Sequence, residues 1–537
     1  MSATTLEAPA GSVGASRRLP APLRPLIAPT LLGIAAAVWF LYRIGRPGVS
    51  TDEGVTLVVT HRTFRQLWHL WHGNDATLMP YYLGITILRK AATVLGLPVS
   101  DVVLVRAVSG LAMAVAVALL YALVRRHASA SLALTASIVF MVMPGVVRYA
   151  QESRPYALMV MISTASWLAW DVARERPTRW TRAAYVATIV VGPLIHLFVL
   201  FQFAGQLAAS IVDDHVSRRG RHPRWVTTRS TLVSLVIGGL VVSLPVLYMA
   251  VHGHGQPRGR VQYSLILHTL LETLISASGR QQAWPLLLVP ALAGALALWR
   301  RDRWVLLIAL AWFAVPFTLE AMAAVAKPPT LRLRYWMPLA TPAALLIGAG
   351  VHGVAAALAS SVARLARGRT RVLTASRLTA GLAAIGVVAT VVLAAPTLAV
   401  VRGESGHGSM AVSRPVMAVL ARTPGHPVLL VDSRFNGYVF AGYGMRYVDD
   451  NPYAKVVATS PYAWGFQRSP EEFLSALTGH DSAVFAHTRG GGSNSATLRS
   501  VSAELVGAGF VHTSTVKLGV WTVMTYVRAI RTIPPVP

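Results

Sequence analysis

The chain has 537 residues, 54% of them hydrophobic and 13% charged, with a mean hydropathy of +0.53. A soluble domain carries about 25% charged residues, so most of this chain needs lipid as its solvent, which excludes an ordinary soluble enzyme. The net charge of +28 points to no nucleic-acid partner, because the arginines fall in short clusters between apolar runs and no soluble stretch carries a basic stripe.

Residues 1–23 are polar and rich in Pro and Ala and read as a disordered cytoplasmic tail. The run after them, 24–43, is long enough to span a bilayer rather than to serve as a cleaved leader. Further candidate spans lie at 102–124, 129–147, 156–172, 183–195, 197–212, 231–250, 284–299, 304–325, 335–358 and 378–400, about eleven in all. Residues 183–212 are two short runs broken near His196, as in a tilted or incompletely spanning hairpin.

Charge sets the expected orientation. With the N-terminus cytoplasmic, the basic clusters at 125–126, 174–182, 218–229, 300–303 and 364–377 all fall inside. The stretch 78–97 carries Arg89 and Lys90 at its middle, each costing about 2.5–3.5 kcal/mol at the bilayer centre. It is therefore expected as an amphipathic helix in the outer interface. The result is a multi-pass plasma-membrane protein with a transmembrane domain over 24–400, an outer loop at 44–101 and an outer C-terminus. Residues 401–537 gain Gly, Ser and turn signals. Their short apolar runs "PVLLVD" and "SAVFAH" alternate with helical stretches, which predicts an extracytoplasmic α/β domain. The "GGG" at 490–492 reads as a turn rather than a nucleotide loop.

In a chain so short of acids, Asp52 and Glu53 stand side by side where the first span surfaces. A partly dehydrated carboxylate there can act as general base. "STDE" also has the form of a helix-capping sequence, so the pair can equally be structural. On the same expected face lie Arg154, Lys327, Arg332 and Arg334, cations suited to a phosphate headgroup. A base and a cationic clamp suffice for glycosyl transfer from a lipid phosphate, because the leaving phosphate needs charge stabilisation rather than a proton. The expected stereochemistry is inversion by single displacement. The absence of Cys removes disulfides and thiolate chemistry. "WHLWHGND" offers His69, His72 and Asp75 as ligands for a divalent metal, or as interface-belt residues among tryptophans. No other cofactor is indicated. His196 reads either as a packed polar residue or as an acceptor contact.

The order of motifs resembles the GT-C superfamily of polytopic glycosyltransferases, in the branch of protein O-mannosyltransferases and lipid A aminoarabinose transferases. The matching pieces are "TDEG", "NDATLMPYYLGITILRKAATVLGLP", "LVRAVSGL", "QESRPYALMV", "PLIHLFVLFQFAGQ" and "LRLRYWMPLATPAALLIG", spread over residues 24–360. The resemblance implies a cell-envelope enzyme with a polyprenyl-phosphate sugar donor and an extracytoplasmic active site, and the Ala, Arg, Val and Gly-rich composition points to a GC-rich bacterial genome. It implies Asp52 as catalytic acid with Glu53 as its neighbour, and Asp75, Tyr81 and His196 toward the acceptor. It also implies Arg154, Arg332, Arg334 and Tyr335 at the donor phosphate. Many relatives read Asp-His-Pro-Pro before the paired tyrosines, where this chain has "NDATLMPYY". The sugar is open between mannose, arabinofuranose and other hexoses or pentoses, and the acceptor between glycan, glycolipid and protein. Tyr453, Tyr462 and Trp464 are candidate sugar-stacking residues of the outer domain. Two other functions stay on the table: a transporter or flippase of lipid-linked sugars, and a non-catalytic envelope scaffold. The lack of matched halves weighs against transport.

Overall fold

A backbone in lipid must satisfy its own N–H and C=O groups, so apolar runs of this length fold as helices. The structure, a computed structural model, describes residues 24–71, 76–216, 226–252, 284–326, 333–365, 371–408, 412–431, 439–440, 477–488 and 495–529. Helix α1 (Arg24–Leu41) is followed by three helices of the first loop, α2 (Thr51–Thr60), α3 (Phe64–Leu70) and α4 (Met79–Val94). Then come α5 (Asp101–His127), α6 (Ala130–Val142), α7 (Pro144–Ala150) and α8 (Tyr156–Glu175). They are followed by α9 (Arg179–Ile195), α10 (Leu200–Val216), α11 (Val226–His252) and α12 (Trp284–Arg301). The last long helices are α13 (Arg303–Ala326), α14 (Ala340–Leu365) and α15 (Arg371–Val401).

Among the described residues, seven helices are long and apolar enough to cross a membrane, in α5, α8, α10, α11, α13, α14 and α15. An eighth crossing results if α6 and α7, bent by 65° at their junction, count as one. The bend has a local cause: Pro144 opens α7 and forces Met143 into an extended conformation (ψ 123°). The expected runs at 24–43, 183–195 and 284–299 do form helices, α1, α9 and α12, but on their described residues they do not meet that test. The charged stretch 78–97 is the helix α4, and it too is not among the spanning helices. Its Arg89 turns to protein, donating to the Thr60 carbonyl (2.5 Å) and pairing with Asp101 (3.3 Å).

Without a hydrophobic force between helices in lipid, close backbone approach and polar bonds hold them together. Tyr185 donates to Gln206 (2.7 Å), whose amide donates to Ser166 (2.7 Å), tying α9, α10 and α8. At the α12–α14 crossing a Cβ on Gly350 would lie 1.9 Å from the Pro290 carbonyl oxygen, so only glycine fits. Gly350→Leu is expected to cost at least the roughly 1–3 kcal/mol of an overpacked core. A lower thermal transition in detergent, read by fluorescence-detected size exclusion, checks this.

The C-terminal part contributes α16 (Arg414–Arg422), β1 (Pro427–Val431), β2 (Ser482–Thr488), α17 (Ser495–Gly507), β3 (Phe510–Leu518) and β4 (Trp521–Arg528). They build a mixed sheet of order β1-β2-β4-β3, with β1 parallel to β2 and the other pairs antiparallel. Side chains alternate between faces with a period of two. Val428, Leu430, Ala483 and Phe485 meet Val501 and Leu505 of α17, whereas Leu429, Val431, Val484 and Ala486 face the other way. That second face joins Val55, Leu57, Tyr81 and Tyr82 in one buried cluster. The sheet and the first-loop helices therefore share a core. Both faces of β1 and β2 are covered, which is why they read as continuous apolar runs.

Candidate active site

Ser50 is extended (φ −72°, ψ 161°), its Oγ accepts the Glu53 N–H (3.3 Å), and the Glu53 carboxylate accepts the Ser50 N–H (3.0 Å). This capping box starts α2. Adjacent helical residues point about 100° apart at 3.6 residues per turn, so the two neighbouring carboxylates diverge into different surroundings.

Glu53 turns inward and is fully buried. Its Oε1 accepts from Arg106 Nε (2.7 Å) and from the Ser153 N–H (2.9 Å). Its Oε2 accepts from Arg106 Nη2 (2.9 Å) and from His407 Nδ1 (2.7 Å). Arg106, itself fully buried in α5, spends its remaining donors on the carbonyls of Ile44 (3.0 Å), Pro47 (2.8 Å) and Gly48 (2.9 Å). Burial alone would lift the Glu53 pKa, but the charges and hydrogen bonds of Arg106 and His407 hold it well below the ordinary carboxylate range. Glu53 is thus a permanent anion tying α2, α5, the turn before α8 and the segment after α15.

Asp52 stays partly exposed and receives a hydrogen bond from Arg334 Nη1 across the site. Arg334 stands over the rings of Tyr335 (5.4 Å) and Tyr156 (5.9 Å). Arg154 is buried and reaches α2 one turn beyond Asp52, donating to Tyr82 OH (3.1 Å) and Thr56 Oγ1 (3.4 Å). Tyr335 stacks on Phe198 (4.8 Å between centroids) and lies 5.4 Å from His196, which in turn is 6.0 Å from Tyr156. His196 accepts the Phe198 N–H at Nδ1 (3.3 Å). Burial, reinforced by the charges of Arg154 and Arg334, lowers its pKa to about 3, so the ring is neutral and presents Nε2–H.

Asp52, Arg154, Arg334, Tyr335 and His196 thus gather on one face. Tyr81 is buried beside Tyr82 (5.9 Å), and burial raises the pKa of its hydroxyl, which has no partner among the described residues. It borders an apolar groove of about 310 Å³ between α4 and α9, with Gly84, Leu88, Leu158 and Leu194 in its walls. Lys327, Arg332, His72, Asp75, Tyr453, Tyr462 and Trp464 lie outside the described residues, as does the side chain of His69.

Sequence reasoning assigned no role to Arg106, His407 or Glu152. Arg106 carried a signal, a charge inside an otherwise apolar span. His407 carried none. Glu152 is buried, its Oε2 has no partner among the described residues, and burial raises its pKa, with Arg148 opposing. It is a third carboxyl beside Asp52 and Glu53. Among the described residues, the one group spaced to hold a metal ion is His127, Asp171 and Glu175, at the far ends of α5 and α8. Arg126 (2.6 Å) and His127 (2.8 Å) already occupy Asp171, which makes this an ion-pair knot at the opposite face.

No protein-family model matches the sequence, and neither does any curated protein. Solved structures do match. ArnT from Cupriavidus metallidurans bound to undecaprenyl phosphate superimposes with a TM-score of 0.54 at 14% identity, over 92% of this chain and 97% of that one. The same protein in the apo state gives 0.54 at 13% identity. Arabinosyltransferase EmbB from Mycobacterium smegmatis reaches 0.43 at 15% identity, over 76% of this chain and 44% of that one. The chain shares the fold of ArnT over most of its length, with helices followed by a small mixed sheet.

Proposed function

We propose that this chain is an inverting membrane glycosyltransferase moving a sugar from a polyprenyl-phosphate donor to an acceptor on the extracytoplasmic face. On this reading the N-terminus is cytoplasmic, α1, α9 and α12 complete eleven crossings, and residues 401–537 shape the acceptor side. The observation that carries it is the meeting of Asp52 with Arg334 from a distant segment, with Arg154 one turn away along α2. ArnT, which shares the fold, was solved with undecaprenyl phosphate.

The two first-loop carboxylates divide the work. Glu53 holds α2 in place, and Asp52 reacts. The acceptor hydroxyl oxygen attacks the anomeric carbon while Asp52 takes its proton. The bond from that carbon to the phosphate oxygen breaks, and its electron pair leaves on the phosphate. Arg334 and Arg154, joined by Lys327 and Arg332, neutralise that charge. Before the donor arrives Arg334 is engaged by Asp52, and a bound phosphate draws the guanidinium away and frees the base. Neutral His196 and Tyr81 offer hydroxyl contacts to a sugar, and the groove beside Tyr81 suits an isoprenoid chain. Arg334→Lys keeps the charge but loses the guanidinium fork. It is expected to raise the donor KM about tenfold, as measured by initial rates.

The decisive experiment is incubation of the purified chain with polyprenyl-phosphate sugars, with the product read by mass spectrometry and its anomeric configuration by NMR. An inverted glycoside is the expected result. A product of retained configuration, or no donor consumption while unmodified lipid-linked sugar crosses proteoliposomes, overturns the reading.

A further inference from the structure

Apart from the Asp52 site, the ends of α1 and α15 enclose a cavity of about 360 Å³. Its floor is apolar, formed by residues of α15 such as Leu398, and three guanidiniums, Arg43, Arg46 and Arg402, stand around it with Trp39 and Tyr42. Arg402 is 9% exposed, and its Nε has no partner among the described residues. Its guanidinium lies 3.9 Å from the Trp39 ring centroid, and Nη2 donates to the Trp39 carbonyl (2.9 Å). Arg43 lies over Tyr42 (5.2 Å) and, at φ 58°, is the one residue other than glycine with positive φ among those described. Such a conformation persists only where the surroundings impose it.

None of the three arginines forms an ion pair with a described carboxylate. The C-terminal dipoles of α1 and α15 favour cations here, but they do not require three around one cavity or an apolar floor beneath them. Beyond the rim, Val38, Val388 and Val392 expose 60–68% of their surface on the same two helices. A phosphate above and a hydrocarbon chain below match this combination, with the tryptophan and tyrosine at headgroup level.

We infer that this cavity binds an anionic glycerophospholipid, its phosphate held by Arg43, Arg46 and Arg402 and an acyl chain lying along α1 and α15. The site is independent of the transfer chemistry and shares no lining residue with the surroundings of Asp52. It is nonetheless wired to them. The chain runs from Arg402 through Glu404, whose carbonyl accepts the Gly48 N–H (2.9 Å), to His407 on the Glu53 carboxylate.

The test uses the full chain in phosphatidylcholine nanodiscs, titrated with phosphatidylglycerol and read by native mass spectrometry. Wild type should retain phosphatidylglycerol over phosphatidylcholine by about tenfold or more, and R43Q/R46Q, altering two exposed side chains, should lose most of that preference. Equal retention of the two lipids by wild type, or an unchanged preference in the variant, overturns the site. Undecaprenyl phosphate is the third arm. If it displaces phosphatidylglycerol from wild type, the cavity belongs to the donor and the assignment falls. Failure of sugar transfer leaves these readouts unaffected.

Discussion

Asp52→Asn should lower the rate of sugar transfer by about 10²–10⁴-fold, the usual contribution of a general base, with folded protein recovered in wild-type yield. The amide has the shape of the carboxylate and still offers an oxygen to Arg334, which donates to Asp52 in the native site. Asp52 is also partly exposed, so its neutralisation leaves no deeply buried charge stranded. What it loses is the capacity to take a proton. On the proposed mechanism the donor is held by guanidiniums rather than by this carboxylate, so its KM should stay near wild type or fall, since Arg334 is released from a competing anion. Initial rates across donor concentrations separate the two parameters. A variant within threefold of the wild-type rate would remove Asp52 from the chemistry.

The neighbouring substitution should behave in the opposite way. Glu53→Gln puts an amide where Arg106, His407, Ser153 and Ser50 all donate to the carboxylate. An amide NH₂ cannot accept, so at least one buried donor is left facing another, and Arg106 loses its counter-charge. Removing one partner of a buried ion pair costs about 3–5 kcal/mol. The expected result is a large fall in thermal stability and in the yield of monodisperse protein, read by fluorescence-detected size exclusion, before any question of turnover. The pH dependence follows from the depressed pKa of Glu53. Its contribution is complete above the ordinary carboxylate pKa of about 4.3 and is lost only as pH falls through the lower folded-state value. On this account the stability difference between wild type and Glu53→Gln should be flat between pH 5 and 8. A steep change of that difference within the range would show that Glu53 is not held as an anion.

Much of the membrane architecture was legible because hydropathy and arginine clusters report directly on what lipid permits. Arg89 and Lys90 marked 78–97 as no ordinary span, and the helix there turns Arg89 onto Thr60 and Asp101. Eleven apolar runs gave seven or eight helices that are long and apolar enough to span, because α1, α9 and α12 do not reach that length and hydropathy on their described residues. The capping sequence at Ser50 announced the start of α2, but nothing local said that Asp52 and Glu53 would separate. That outcome depends on helical rotation and on partners that arrive from elsewhere. Arg334 lies 282 positions from Asp52 and His407 lies 354 from Glu53. Pairings at that range leave no periodicity to read. Arg106 carried a signal that went unread, since a guanidinium inside an apolar helix demands a buried anion.

The knot around Glu53 has a consequence for biosynthesis. A ribosome delivers α2 early, yet its last ligand, His407, emerges only after α15 has been made. Until then α2 lacks one of its tethers, so the arrangement around Asp52 and Glu53 is completed only after nearly all of the helical part has been made.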